Sequence, residues 1–352
     1  MGKWASKHRR YSESDEGTKN TMTKRRKRST SNSQDELKSK ETQNNVWLGK
    51  VATADCHNDA VTSIDVVSPN LCISASRDKT IAIQDLSKGT LLHRWNAHSQ
   101  GVTKVCCCNS VIASASRDLT IGVWNLDNPK SCRGRLSGHT LVVSALDINT
   151  EGTKLFSGSR DNTVRIWDLE TQQCMMENNI SRNLVTDLKW AHQENMVIQT
   201  SEDKIIKIWD TRLLEVVHTF PVQAQIQTCC DLEEKRCLTG NNGFSGQGCQ
   251  LNLWDLRHRQ MLNEYRGHAE TVSGCSFFDT SCPYTRFVST SNDGTLRLWK
   301  DIQQASVSVQ QLGLGTLTCI ASLNDNTLLC GSLNHGIGVA RVGSNDTLTV
   351  TS

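Results

Sequence analysis

Four histidines in this 352-residue chain are spaced as if for hydrolytic chemistry. His57, His98 and His139 precede Asp78, Asp118 and Asp161 by 20 to 22 residues, and His268 precedes Asp293 by 25. Ser74, Ser114, Ser157 and Ser289 each stand four residues before one of those aspartates. A serine beside a histidine that is itself held by a carboxylate is the arrangement that activates a nucleophile for acyl transfer. A catalytic site is single and lies in a cleft, whereas this set occurs four times at a near-constant interval. Tryptophan keeps the same beat: Trp124, Trp167, Trp209 and Trp299 sit six residues after Asp118, Asp161, Asp203 and Asp293. Recurrence of this kind points to structure, and no residue set in the chain supports catalysis.

The elements that would carry these residues are short strands. Between Gly138 and Asp168 the sequence runs LVVSALDI (141–148), KLFSGS (154–159) and TVRIWD (163–168), each rich in aliphatic or β-branched residues. Turn residues separate them: Glu151-Gly152, then Arg160-Asp161-Asn162. That is the pattern of antiparallel strands joined by tight hairpins. The unit closes on Trp167-Asp168, and equivalent dipeptides close its neighbours at Gln84-Asp85, Trp124-Asn125, Trp209-Asp210, Trp254-Asp255 and Trp299-Lys300. The steps between them are 40 to 45 residues, and a degenerate unit follows with strands expected at 316–322, 327–332 and 337–342.

This Gly-His…Trp-Asp frame resembles the WD40 repeat, whose units are propeller blades of four strands. The fold class is therefore all-β: a seven-bladed WD40 β-propeller over 46–352, with a disordered basic tail over 1–45. A closed ring leaves no exposed sheet edge, so the chain ends must meet, and 46–53 is expected to supply the outer strand of the last blade. The resemblance implies that His98, Asp118 and Trp124, His139, Asp161 and Trp167, and His268, Asp293 and Trp299 are structural. In such repeats the indole N–H donates to serine, serine to histidine, and histidine to the aspartate of the tight turn. A network in which every buried polar group finds a partner stabilises the fold.

Charge divides the chain where the repeats begin. Residues 1–45 hold 12 Lys and Arg against 6 Asp and Glu, leaving 27 against 30 for the rest. The 15 cysteines form no C-x-x-C pair, their number is odd, and no secretory signal precedes them. They read as buried, reduced thiols of a cytoplasmic protein, with no metal and no cofactor implied. No apolar run is long enough to span a bilayer.

The tail carries its own motif. Gly2 and Ser6 fit the M-G-x-x-x-[ST] signal for N-myristoylation, and MGKxxSK is similar to the acylated start of neuronal calcium-sensor proteins. One myristoyl chain binds membranes only marginally, about 10⁴ M⁻¹. Lys3, Lys7, Arg9 and Arg10, with Lys24, Arg25, Arg26, Lys27 and Arg28, supply the second attraction, roughly 1 kcal/mol each near an anionic leaflet. Ser12, Ser29 and Ser31 lie beside these clusters, where phosphorylation would weaken that attraction. The same clusters also resemble a bipartite nuclear import signal, which makes the nucleus the alternative location.

Two sets of arginines are candidates for partner binding. Arg77, Arg117 and Arg160 precede the turn aspartates in successive S-x-S-R-D segments, and in WD40 propellers that turn lies on the top face. Arginine is enriched at interface hot spots and pairs bidentately with carboxylates. Arg212 and Arg257 follow Trp-Asp by two residues in consecutive blades, which resembles the motif that docks some WD40 proteins onto a cullin–RING ubiquitin ligase adaptor. Blade five differs from the rest: GNNGFSGQGC (240–249) replaces the short turn, and its glycines do not form a nucleotide-binding fingerprint. An elongated hairpin tip is expected there.

SRNLVT (181–186), QTSEDK (199–204), FPVQAQIQT (220–228), NGFSGQGC (242–249) with LWDLR (253–257), and EYRGHAETV (264–272) together resemble a cilium-associated branch of the family. That resemblance implies a non-catalytic scaffold in ciliary trafficking, alongside regulators of small GTPases. The expectation is thus a propeller that binds proteins on its top face and is tethered by an acylated tail to an anionic membrane, at the cilium or its base. It binds neither nucleic acid nor a small-molecule substrate. The alternative is a substrate receptor of a cullin–RING ligase.

Overall fold

The computed structural model describes residues 56–350, except 192–194, 221–224, 280–283, 324–325 and 335. Gly2, the basic clusters of the tail and the segment 46–53 fall outside the described residues, as does the boundary expected at 45/46. Seven sheets follow one another, each built of four consecutive antiparallel strands. The blades cover 61–96, 102–136, 143–179, 185–220, 227–266, 272–311 and 317–350. In blade three the strands are Val143–Ile148, Lys154–Ser159 and Thr163–Asp168, followed by an outer strand Cys174–Asn179. The degenerate seventh unit has its strands at Leu317–Ser322, Thr327–Ser332 and Ile337–Val342, within one residue of expectation.

One expectation is corrected. The place beside the third strand of blade seven is taken by Leu348–Val350, which pairs with Ala340–Val342. The outer strand there comes from the C-terminal end of the chain, through a turn in which Gly343 N–H donates to Thr347 O at 2.8 Å.

The blades are stapled at their inner strands. Thr62 Oγ1 donates to Val102 O (2.9 Å), Thr103 to Val143 O (2.5 Å), Ser144 to Val185 O (2.5 Å), Thr186 to Gln227 O (2.7 Å) and Thr228 to Val272 O (2.6 Å). Thr318 Oγ1 closes the circle on Val61 O at 2.5 Å. Blade six is the exception, its Ser273 turning instead to Thr290 Oγ1 at 3.3 Å. Seven apolar clusters fill the spaces, each drawn from two adjacent blades. The cluster that seals blade seven to blade one packs Ala321, Leu329 and Ile337 against Val61, Ile64 and Cys72.

Charge gathers where the inner strands converge. Asp65, Asp147, Asp187 and Asp231 each accept a backbone N–H of the next blade, from Cys107 (2.7 Å), Trp190 (2.8 Å), Cys230 (3.2 Å) and Phe277 (2.8 Å). Lys104 Nζ of blade two meets Asp187 Oδ1 of blade four at 2.6 Å, passing over blade three. Burial alone would push the Lys104 pKa down, and the Asp187 carboxylate beside it raises it further than burial lowers it. Asp65 and Asp231 are raised by burial, which outweighs the attraction of Lys189.

Lys300 stands where blades one to five carry an acidic or amide residue, and the structure gives the reason. Its Nζ pairs with Asp346 Oδ2 at 2.5 Å, and Arg286 Nη1 reaches Asp346 Oδ1 at 2.9 Å. This pins the turn before the C-terminal strand onto blade six. Asp346→Ala is therefore expected to lower the urea midpoint of unfolding, with amide exchange rising first at Leu348–Val350. Lys300→Asp should be at least as harmful.

Candidate functional site

In blades three and six the spaced residues form a continuous hydrogen-bond chain. In blade three, Trp167 Nε1–H donates to Ser157 Oγ at 2.8 Å, Ser157 lies 2.8 Å from His139 Nε2, and His139 Nδ1 lies 2.9 Å from Asp161. Blade six repeats this through Trp299, Ser289, His268 and Asp293, at 2.8, 2.7 and 3.1 Å. Blade two joins His98 to Ser114 at 2.7 Å and to Asp118 at 3.0 Å, with Trp124 buried against the His98 ring. With the carboxylate taking the Nδ1 proton, Nε2 accepts from serine. Each serine is fully buried between these partners, so its hydroxyl faces no substrate space.

The aspartates also shape the turn. Asp78, Asp118, Asp161 and Asp293 accept both the N–H and the hydroxyl of the threonine two residues on. The residue between adopts a left-handed backbone, with φ of 73° at Lys79, 73° at Leu119, 69° at Asn162 and 79° at Gly294. Such a conformation is strained for a leucine or lysine, and the two carboxylate bonds hold it.

Other blades solve the same problem with other residues. In blade four Gln199 replaces serine and Asn183 replaces histidine: Trp209 Nε1–H donates to Gln199 Oε1 at 2.9 Å, and the two amides bond each other. Asp203 is held by Lys207 and Ser201. In blade five Trp254 donates to Thr239 Oγ1 at 3.0 Å. Blade one has Gln84 where tryptophan is expected, and Arg94 Nη2 binds Asp78 at 2.9 Å.

The predicted top-face arginines occupy one repeated position. The backbone N–H of Arg77, Arg117 and Arg160 donates to Ala60, Gly101 and Val142 O, each at 3.0 Å. Glu202, Asn242, Asn292 and Leu333 make the same bond in blades four to seven, to Leu184, Ile226, Thr271 and Thr316 O at 2.8 to 3.0 Å. All three arginine side chains are exposed. Arg160 is committed to an ion pair with Glu202. Among the described residues, Arg77 and Arg117 make no ion pair.

The blade-five insertion is an elongated tip, as expected, and it is tied to blade six. Gly246 N–H donates to Ala269 O at 2.7 Å, and Thr271 Oγ1 donates to Gly243 O at 3.1 Å. Phe244 at its end is 73 % exposed. On the opposite face, Arg212 folds back onto Asp210, its Nη2 at 2.6 Å, and its hydrogen bonds hold that carboxyl down at about 2. Asp255 instead pairs with His258 Nδ1 at 2.7 Å and accepts the backbone N–H groups of Arg257 and His258, with no bond from the Arg257 side chain among the described residues. Of the described cysteines, Cys132 and Cys174 are exposed on outer strands, while Cys72, Cys229, Cys230, Cys237, Cys275 and Cys330 are among the buried ones.

Comparison with known proteins agrees with this geometry. The WD40 family (WD domain, G-beta repeat) matches at 49–85, 89–125, 130–168, 173–210 and 259–300, together more than half of the chain. The matches pass over blade five, with its insertion, and the degenerate blade seven. The chain is 24% identical over 260 residues to a WD repeat domain-containing protein 83 homolog of Dictyostelium discoideum, covering 64% of this chain and 78% of that one. It is 25% identical to human pre-mRNA-processing factor 17, over 70% of this chain and 35% of that one. Nuclear distribution protein nudF of Aspergillus niger is 25% identical, over 74% of this chain and 63% of that one.

The turn aspartates make stability depend on pH. Burial pushes the Asp118 carboxyl up, but the Thr120 hydroxyl, His98 and the N–H groups of Ser99 and Thr120 outweigh it and hold it at about 2. Asp78, Asp161 and Asp293 are likewise held well below the usual range, the histidine and threonine bonds overcoming burial. A depressed carboxyl contributes stability that is complete above its unfolded value of about 3.9 and is lost as the pH falls through the folded value. The urea midpoint should therefore fall on acidification from about pH 5 towards about pH 2. Asp161→Ala should flatten that dependence, and at neutral pH should cost about 1–3 kcal/mol by leaving His139 and Thr163 without their acceptor.

Proposed function

The chain belongs to the WD40 family, whose propellers serve as protein-interaction scaffolds, and we propose that it works as a membrane-tethered, non-enzymatic member. The observation that carries the reading is the repeated top-face position. It is basic and exposed in three successive blades, Arg77, Arg117 and Arg160, where a partner's carboxylates could be paired bidentately. The serines that would serve a hydrolase are instead consumed within buried hydrogen-bond chains. The propeller portion of the sequence is mildly acidic, so its charge does not favour nucleic acid.

Gly2 and the basic clusters supply the tether: an acyl chain and a polybasic segment, neither sufficient alone. The segments quoted above resemble WD repeat-containing protein 31. On that resemblance we place the protein at the cilium or its base, in ciliary trafficking, alongside regulators of small GTPases. A second reading rests on the exposed Arg257, which makes no ion pair among the described residues. It makes the chain a substrate receptor of a cullin–RING ligase.

The deciding measurement is the location of C-terminally tagged wild type and Gly2→Ala in ciliated cells. Wild type should lie on membrane or at the cilium, and Gly2→Ala should be diffuse. Nuclear location of both would reject the acyl tether and bring the ligase reading forward. In that case Arg212→Ala with Arg257→Ala should abolish adaptor capture; under the scaffold reading the pair should change partner binding little.

A further inference from the structure

The seven equivalent turn positions differ in charge around the ring: Arg77, Arg117, Arg160, Glu202, Asn242, Asn292 and Leu333. Three bases stand in a row, one acid follows, and the remaining positions are neutral. The acid is spent on its neighbour, because Glu202 pairs with Arg160. Arg77 and Arg117 are exposed, as is Lys79 in the same turn as Arg77. Among the described residues of the loops that lead into blades one to three, Asp59 is the only carboxylate, and its Oδ1 accepts the N–H of Ala60 at 2.7 Å. Apolar surface lies on the same arc: Leu119 is 37 % exposed, and Leu141, in the loop entering blade three, 50 %.

Resting on the docking face of the proposed function, we propose that this arc receives an acidic peptide segment of a partner protein, carrying apolar side chains, and that Glu202 bounds the arc by neutralising Arg160. Charge complementarity selects the ligand. Covering two uncompensated guanidinium groups with a neutral segment removes their water and returns nothing, and a basic segment is repelled. A carboxylate-bearing segment restores their pairing through charge-assisted hydrogen bonds, while Leu119 and Leu141 bury against its apolar residues. Glu202 acts in the opposite direction. It repels the approaching carboxylates and holds the third arginine in an internal pair, a repulsive element that limits which segments fit.

The test is fluorescence anisotropy on the full chain, with a labelled peptide of alternating glutamate and leucine as probe and its glutamine–leucine counterpart as control. The acidic peptide should bind at least about tenfold more tightly than the control, and less tightly as salt is raised. Arg77→Ser with Arg117→Ser should weaken it about tenfold or more, at unchanged melting temperature. Glu202→Gln should tighten it about threefold or more, and adding Arg160→Ser should cancel that gain. Binding that ignores the two arginines would mean that the basic tail holds the peptide, and it overturns the proposal. So does a Glu202→Gln variant with no gain, absence of peptide binding, or arginine substitutions that weaken binding to phosphatidylserine vesicles but not to the peptide. Lysate capture separates the two readings. Partner capture lost on Leu141→Asp but indifferent to Arg77→Ser with Arg117→Ser keeps the docking face and rejects the acidic ligand. Indifference to both rejects the docking face itself.

Discussion

A four-stranded sheet has two faces, and in this molecule both are apolar, so no blade can be stable without a neighbour on each side. That constraint makes closure of the ring the condition for everything else. It is met by the same device at the seam as elsewhere. Thr318 bonds Val61 O as Thr62 bonds Val102 O, and an apolar cluster drawn from blades seven and one fills the space between them. The seam has no special chemistry. It relies on the last blade being completed by its own short outer strand, and Lys300 and Arg286 of blade six grip Asp346 to keep that strand in place.

The buried histidine chains are a second layer on this frame. In blades one, two, three and six they occupy the end where the turn bends back, and their aspartate holds a left-handed residue before the threonine. The chemistry is replaceable so long as every buried group has a partner. Blade four shows this, with an amide pair under Trp209 and Lys207 on Asp203. Blade five uses one threonine under Trp254, and both amide atoms of Asn241, Gln227 Oε1 and Asn252 Oδ1 are buried without a partner among the described residues. The blade with the fewest compensations is the one with the insertion.

Much of this was legible in the sequence, for physical reasons that differ from element to element. Strand positions in blades three and seven follow from short aliphatic runs and turn residues, which are local signals. The complete chains in blades three and six follow from fixed spacing, because a hairpin of constant length brings Ser, Asp and Trp together. The blade-seven outer strand was not legible: Leu348–Val350 is too short to carry a periodic signal, and its place depends on a distant ion pair. The Gln199–Asn183 pair was missed although the two stand four and twenty residues before Asp203, the offsets of serine and histidine in other blades, because an amide pair does not carry the Ser-His residue types. The charge of the top face was visible one arginine at a time. Glu202 stands before Asp203 as each arginine stands before its aspartate, so its position was legible too; that it spends Arg160 needed the three-dimensional structure.

Lys104 and Asp187 join blades two and four across the middle of the ring, skipping the blade between. In a repeat array with only nearest-neighbour contacts, each unit adds its own term and units can loosen independently. A bond between second neighbours removes that freedom. Parting blade two from blade four breaks this bond as well as the nearest-neighbour contacts, so loosening of blades two, three and four should be coupled. The ring is thus not seven equal links: one arc is tied across its middle blade, and it includes two of the three blades that carry the basic surface.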